Sequence, residues 1–421
     1  MTHSSLLAAL LVWLASASIT LAQATRPAAA AAAAADPPPP PDLAGATFLT
    51  SGDGTRWKLV WNDEFSGQAL DRDKWSIGLP WGGTDGTGRH HNEQYASYIL
   101  DHNIAVDSGA LKLLTRREDV VDKKGRTFHF TQGLITTAKS FRHRYGYWEA
   151  RVKLPVDAGP GLWPAFWTLA EGWPPEMDIC EIWTSNNRSH QGLCYRPSGG
   201  GKERWDDQMT HSPLPTGWTV YGMEWGPGYQ VYHIDGKVTK RVYGDHVTDD
   251  RHYILLNSGV ESGSPPTAAT VFPNTFAVDY VRVYERPEGP IIHNDGFESD
   301  AREPWGRAGQ AVVVGYDART GKHALRVDGG PSTSEQKIYG LKPRTPYRLT
   351  GWIKPLTDAG EARLGVKNHG GEETFAKASG KGDYQQVEVS FTTGENATTA
   401  TIYCQASDKA AAALFDDVAV R

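Results

Sequence analysis

The chain has 421 residues, enough for two or three domains. Its formal charge is −6 with acids and bases well mixed, which argues against a nucleic-acid partner. Three cysteines are too few to build a disulfide scaffold, and the apolar share suffices for a buried core.

Residues 1–24 read as a cleaved export signal. An apolar run over 6–22 leads to Ala22-Gln23-Ala24, a small-x-small cleavage pattern. The run lies at the lower limit for spanning a bilayer, and no later stretch is long and apolar enough. The mature protein is therefore expected outside the cytoplasm, extracellular or periplasmic, with no membrane contact after cleavage. Residues 25–45 are an Ala/Pro-rich linker with nothing to bury.

From 46 to 287 the chain reads as short strands divided by Gly, Pro, Asn and Asp clusters. Leu111-Lys112-Leu113-Leu114 and Val278-Asp279-Tyr280-Val281-Arg282-Val283-Tyr284 show the near alternation of apolar and polar residues that a half-buried strand needs. Residue 291 to residue 421 is a second stretch of the same kind, after the break Arg286-Pro287-Glu288-Gly289-Pro290. The expected class is all-β: a large sandwich followed by a smaller one.

The segment Glu176-Met177-Asp178-Ile179-Cys180-Glu181 carries three carboxylates at i, i+2 and i+5. On a regular strand the third acid faces away from the other two. One bulge residue near Ile179 or Cys180 brings Glu181 back to their face, with Met177 and Ile179 turned into the opposite layer. Acids crowded on one face repel one another. The choice is a solvated acidic strand or a site that uses paired carboxylates, as glycosidic bond cleavage does.

The surrounding residues resemble glycoside hydrolase family 16. Glu176, Asp178 and Glu181 match its bulged Glu-x-Asp-x-x-Glu motif. Trp61-Asn62-Asp63-Glu64-Phe65, Asn92-Glu93-Gln94-Tyr95, Gly161-Leu162-Trp163-Pro164-Ala165-Phe166-Trp167 and Trp173-Pro174-Pro175 resemble its other landmarks in order. The resemblance implies a β-jelly-roll sandwich with a concave sugar-binding cleft and retaining endo-hydrolysis. It also implies Glu176 as nucleophile, Glu181 as acid/base and Asp178 as their assistant. A β-1,3-glucan of the laminarin type is the first expectation for substrate. The alternatives are an algal galactan (agar, porphyran or carrageenan), glycan transfer, or a catalytically silent glucan binder.

Tryptophan is enriched, with twelve of fifteen copies between Trp57 and Trp225. Flat indoles stack on the C–H faces of sugars, and equally well fill cores. Trp61, Trp75 and Trp225 are expected in the core. Trp163, Trp167 and Trp183, close to the acids, are candidates to line a cleft, as are Asn92, Glu93 and His190. A hairpin centred on Asn187 sets Cys180 opposite Cys194, which allows a cross-strand disulfide in an exported protein. Cys404 is then left over as a buried thiol. No metal-ligand spacing, phosphate loop or cofactor motif is present, so no cofactor or metal is expected. The partner is a polysaccharide, and the chain is expected to act as a monomer.

The C-terminal stretch resembles the jelly-roll carbohydrate-binding modules of polysaccharide-degrading enzymes. The resemblance rests on Asn294-Asp295-Gly296-Phe297-Glu298, Gly321-Lys322-His323-Ala324-Leu325 and Leu414-Phe415-Asp416-Asp417-Val418. Within it, Trp352 alternates like a core residue. Trp305, in a turn-rich stretch, is the candidate sugar platform.

Overall fold

The computed structural model describes residues 48–50, 56–81, 90–91, 95–211, 213–286, 288–298 and 303–421. The expected export signal and linker, together with Asn92 and Glu93, lie outside the described residues. Among those described, regular structure consists of strands and two short 3-10 turns, Asp101–Asn103 and Val156–Ala158. No helix is long and apolar enough to cross a membrane.

The strands form an eleven-stranded, a seven-stranded and an eight-stranded sheet. Pairing is antiparallel except between Tyr98–Ile99 and Thr127–Gln132. The eleven-stranded sheet is centred on Gly146–Lys153 and Asn274–Glu285, the long alternating runs of the sequence. In order from one edge, the seven-stranded sheet holds Arg204–His211, Arg188–Tyr195, Glu176–Trp183 and Ala165–Leu169. Tyr253–Asn257, Leu134–Thr136 and Ser76–Ile77 complete it.

One apolar cluster joins these two sheets. Met177, Ile179, Cys180 and Ile182 of strand Glu176–Trp183 pack in it with Trp148, Val152, Tyr221, Met223, Val278 and Val281. Each large apolar side chain so buried contributes roughly 1.5–3 kcal/mol. This cluster is what forces the polar residues of Glu176–Trp183 to the other face. Trp75 and Trp225 are fully buried, and Trp61 packs half-buried against the same cluster.

The eight-stranded sheet spans residues 306–420 and has a separate core of Phe297, Leu325, Leu349, Ile353, Leu364, Ile402, Cys404 and Phe415. Two expectations fail here. Trp305 is only 1% exposed and belongs to this core, 5.3 Å from Phe297, with its N–H on the carbonyls of His293 and Asn294. It cannot be a sugar platform, because its ring has no open face. Trp352 is half-buried instead of core. Leu349, Gly351 and Ile353 take the inward positions of Pro346–Pro355, so Trp352 falls on the outer face, under the Arg319 guanidinium at 3.7 Å.

Candidate active site

Strand Glu176–Trp183 carries the expected bulge. Asp178 pairs with Trp167 and Cys180 with Phe166, so Ile179 is the extra residue against Ala165–Leu169. On the other side, Asp178 pairs with Gly192 and Glu181 with His190, so three steps on one strand meet two on its neighbour. A bulge leaves a backbone group outside the ladder. Here the Ile179 carbonyl accepts the side-chain amide of buried Gln191 at 2.9 Å, and the Gln191 oxygen accepts the Thr239 hydroxyl at 2.5 Å. Glu176, Asp178 and Glu181 consequently face one cavity of about 720 Å³.

The cavity wall is aromatic and polar. Trp163, Trp167, Trp81, Trp173, Tyr95 and Asn257 line it with the three acids. Trp173 donates its indole N–H to Glu176 at 2.9 Å, and Trp163 donates to Glu181 at 2.9 Å. Asn257 ties the two wall residues together. It accepts from the Trp167 indole at 2.8 Å and donates to the Trp163 carbonyl at 3.1 Å. Trp81 and Trp173 are 47% and 46% exposed, so flat apolar surface is open toward a ligand.

The electrostatics follow from crowding acids out of water. Glu176 is raised to about 8, first by burial and second by the negative charge of Glu181, with the Trp173 N–H working against both. Tyr95 is pushed far above the ordinary phenol value by burial and by all three carboxylates. Near neutral pH the Glu176–Glu181 pair therefore holds a proton that an isolated pair of carboxyls would have lost. One protonated and one ionised carboxyl across a sugar-sized cavity can act as acid and nucleophile.

The residues expected at the site do not all reach it. Trp163 and Trp167 stand in the cavity wall. Trp183 packs edge-on against Trp163 at 6.4 Å and is not among the residues lining the cavity. His190 sits directly across from Glu181 but is only 5% exposed, with the Trp183 ring 4.2 Å away, and is not among the residues lining the cavity. The Cys180–Cys194 disulfide is absent and both thiols are free. The hairpin tip falls earlier than Asn187, with Trp183 opposite Arg188, so Cys194 pairs with Glu176, four residues from Cys180 along the strand.

Trp81, Trp173, Tyr95 and Asn257 were not singled out as site residues from the sequence. Trp173 had a signal, since Trp-Pro-Pro runs straight into Glu176. Asn257 had none, because its role depends on a strand far off in sequence. Among the described residues no group of His, Cys, Asp and Glu is arranged to hold a metal ion.

Residues 91–262, which contain all three acids, match the model of glycosyl hydrolases family 16, and residues 289–411 match a carbohydrate binding domain. The keratan-sulfate endo-1,4-beta-galactosidase of Sphingobacterium multivorum is 30% identical over 371 residues, 83% of each chain. The chain belongs to glycosyl hydrolase family 16. This family 16 enzyme is an endo-acting glycoside hydrolase with a carbohydrate-binding domain following its catalytic region. Its catalytic half is also similar to a solved structure, the endo-beta-1,3-glucanase of Pyrococcus furiosus. The TM-score is 0.50 and the identity 29%, over 58% of this chain and 99% of that one. The beta-glucanase of Rhodothermus marinus is 28% identical over 261 residues, 54% of this chain and 85% of that protein.

Proposed function

We propose that this enzyme is exported, is cleaved after residue 24, and cuts internal β-linkages of a polysaccharide with retention of configuration. The catalytic domain is residues 46–287, and the two sheets that share its core close as a jelly-roll sandwich around the cleft. Residues 291–421 are a second sandwich that holds the polymer. The observation that carries this reading is the set of three carboxylates on one cavity floor, with an indole N–H on each glutamate.

In the first step the Glu176 carboxylate attacks the anomeric carbon. The bond from that carbon to the leaving oxygen breaks, and Glu181 gives its proton to that oxygen. A covalent glycosyl ester on Glu176 results. In the second step water attacks the same carbon, Glu181 takes the water's proton, and Glu176 is released as carboxylate. Asp178, between the two, adds negative charge that keeps a proton on the pair. The aromatic wall holds the sugar rings.

The proposed substrate is a β-1,3-glucan of the laminarin type. The likeness to the Pyrococcus endo-beta-1,3-glucanase over its full length supports this. A second reading, a galactose-containing polymer with acidic substituents, is favoured by two observations. The keratan-sulfate relative spans both domains, and Lys124, Arg126 and Arg142 reach the cavity lining.

The test is reducing-end release from laminarin, mixed-linkage glucan, agarose, porphyran, carrageenan and keratan sulfate. Glu176→Gln and Glu181→Gln serve as controls. Release from laminarin that both variants lose is the expected result. Release from keratan sulfate or porphyran instead selects the second reading. No release from any polymer overturns the hydrolase roles and leaves a binding protein.

A further inference from the structure

We propose that Trp205 forms a sugar-binding subsite at the sheet edge beside the cleft, where it stacks on a ring of the bound polymer. This rests on the endo-glycanase reading above and extends it beyond the cavity wall.

The register carries the argument. Directly opposed residues of an antiparallel pair share a face. Tyr253 pairs with Leu169, Leu169 with Glu176, Glu176 with Cys194, and Cys194 with Trp205. The first three of this row line the cavity, so Trp205 stands on the cleft face too. It lies two strand spacings from Glu176, roughly 10 Å. The residue between them, Cys194, has a small side chain that is buried.

Trp205 is 46% exposed on the edge strand Arg204–His211. Among the described residues it has no ring partner, and its indole N–H has no acceptor. A large aromatic surface left open in line with a sugar-cleaving acid pair matches the C–H face of a pyranose. The N–H at its rim is available to a hydroxyl. An endo-acting enzyme on a long polymer gains from such a contact only when the chain is long enough to reach it.

The experiment compares wild type, Trp205→Ala and Trp205→Phe on whichever panel polymer the wild type cleaves, and on a trisaccharide of the same linkage. Gel retardation by each polymer is read alongside. Melting temperatures control for folding. Trp205→Ala is expected to raise KM on the polymer about 3- to 10-fold. Its kcat and its trisaccharide kcat/KM should stay at wild-type values, and Trp205→Phe should keep most of the affinity. KM and retardation equal to wild type in Trp205→Ala overturn the subsite. If wild type releases no ends from any polymer, the endo-glycanase reading fails. Retardation then decides Trp205 alone: weakened in Trp205→Ala it supports the subsite, and unchanged it overturns it.

Discussion

The side-chain amide of Gln191 donates to the backbone carbonyl of Ile179 at 2.9 Å, on the bulge that sets the spacing of the acids. Both residues are fully buried, so that carbonyl has no water to turn to. Gln191→Leu leaves it unpaired and also removes the acceptor of the Thr239 hydroxyl. The variant should lose about 1–3 kcal/mol of stability in denaturant unfolding. Its kcat should fall more than its KM rises, because the acids and not the wall are displaced.

Trp173 offers a finer probe of the acid pair. Its N–H stabilises the ionised form of Glu176 and opposes the upward push of burial and Glu181. Trp173→Phe keeps the ring and removes the donor. Without that donor the Glu176–Glu181 pair holds its proton to higher pH, so the alkaline limb of the kcat/KM profile should move up. A loss of about 5- to 30-fold at the optimum corresponds to one hydrogen bond to a charged group. An unshifted limb would mean that the N–H does not reach the ionised carboxylate during turnover.

The alkaline side is set by the proton the pair retains. With a carboxyl raised to about 8, the pair still holds that proton at neutral pH and gives it up above 8. Initial rates on the cleaved polymer should therefore stay high to about pH 8 and fall beyond it.

Trp305 and Trp352 should behave oppositely to what their sequence contexts suggest. Trp305→Ala empties a core site and removes a donor to two carbonyls. The expected cost is about 3–5 kcal/mol, read as early melting of residues 291–421. Trp352→Ala, on the outer face under Arg319, should melt within a few degrees of wild type.

One fully buried and two half-buried histidines predict acid sensitivity. Burial lowers His252 to about 3, His293 to about 3 and His233 to about 4, from an ordinary 6.5. The unfolded chain therefore takes up protons below pH 6.5 before the folded chain does. Their contribution is complete above 6.5 and is lost as pH falls toward 4 and 3. Melting temperature should drop through that window, and His252→Asn should flatten the slope even if it lowers the plateau.

The strand class and the shared face of the acids were legible because alternation and carboxylate spacing are local. Met177 and Ile179 announce the buried side of their strand, and Glu181 at i+5 announces the bulge. The hairpin register was not legible. Ser185, Asn186 and Asn187 all suit a turn, and the structure uses the tip one to two residues before the one chosen, which moves Cys194 from Cys180 to Glu176. Trp305 was misjudged because its burial depends on carbonyls of a preceding loop. Trp352 was misjudged because the face of Pro346–Pro355 that meets the core is decided by Leu349 and Ile353. Trp173 and Asn257 become site residues only when loops and strands distant in the chain close on the acids.

The bulge gives the active strand a parity. Three residues from Asp178 to Glu181 do the work of two pleat steps, with the surplus absorbed at Ile179. Losing one residue there restores a regular strand and keeps all the acids on one face, with Glu181 drawn closer to its partners. Losing two turns Glu181 inward on the side of Met177 and turns Ile182 out of the core. Length changes at this point therefore do not act in proportion to their size: the smaller deletion preserves the facing of the acids and the larger one reverses it.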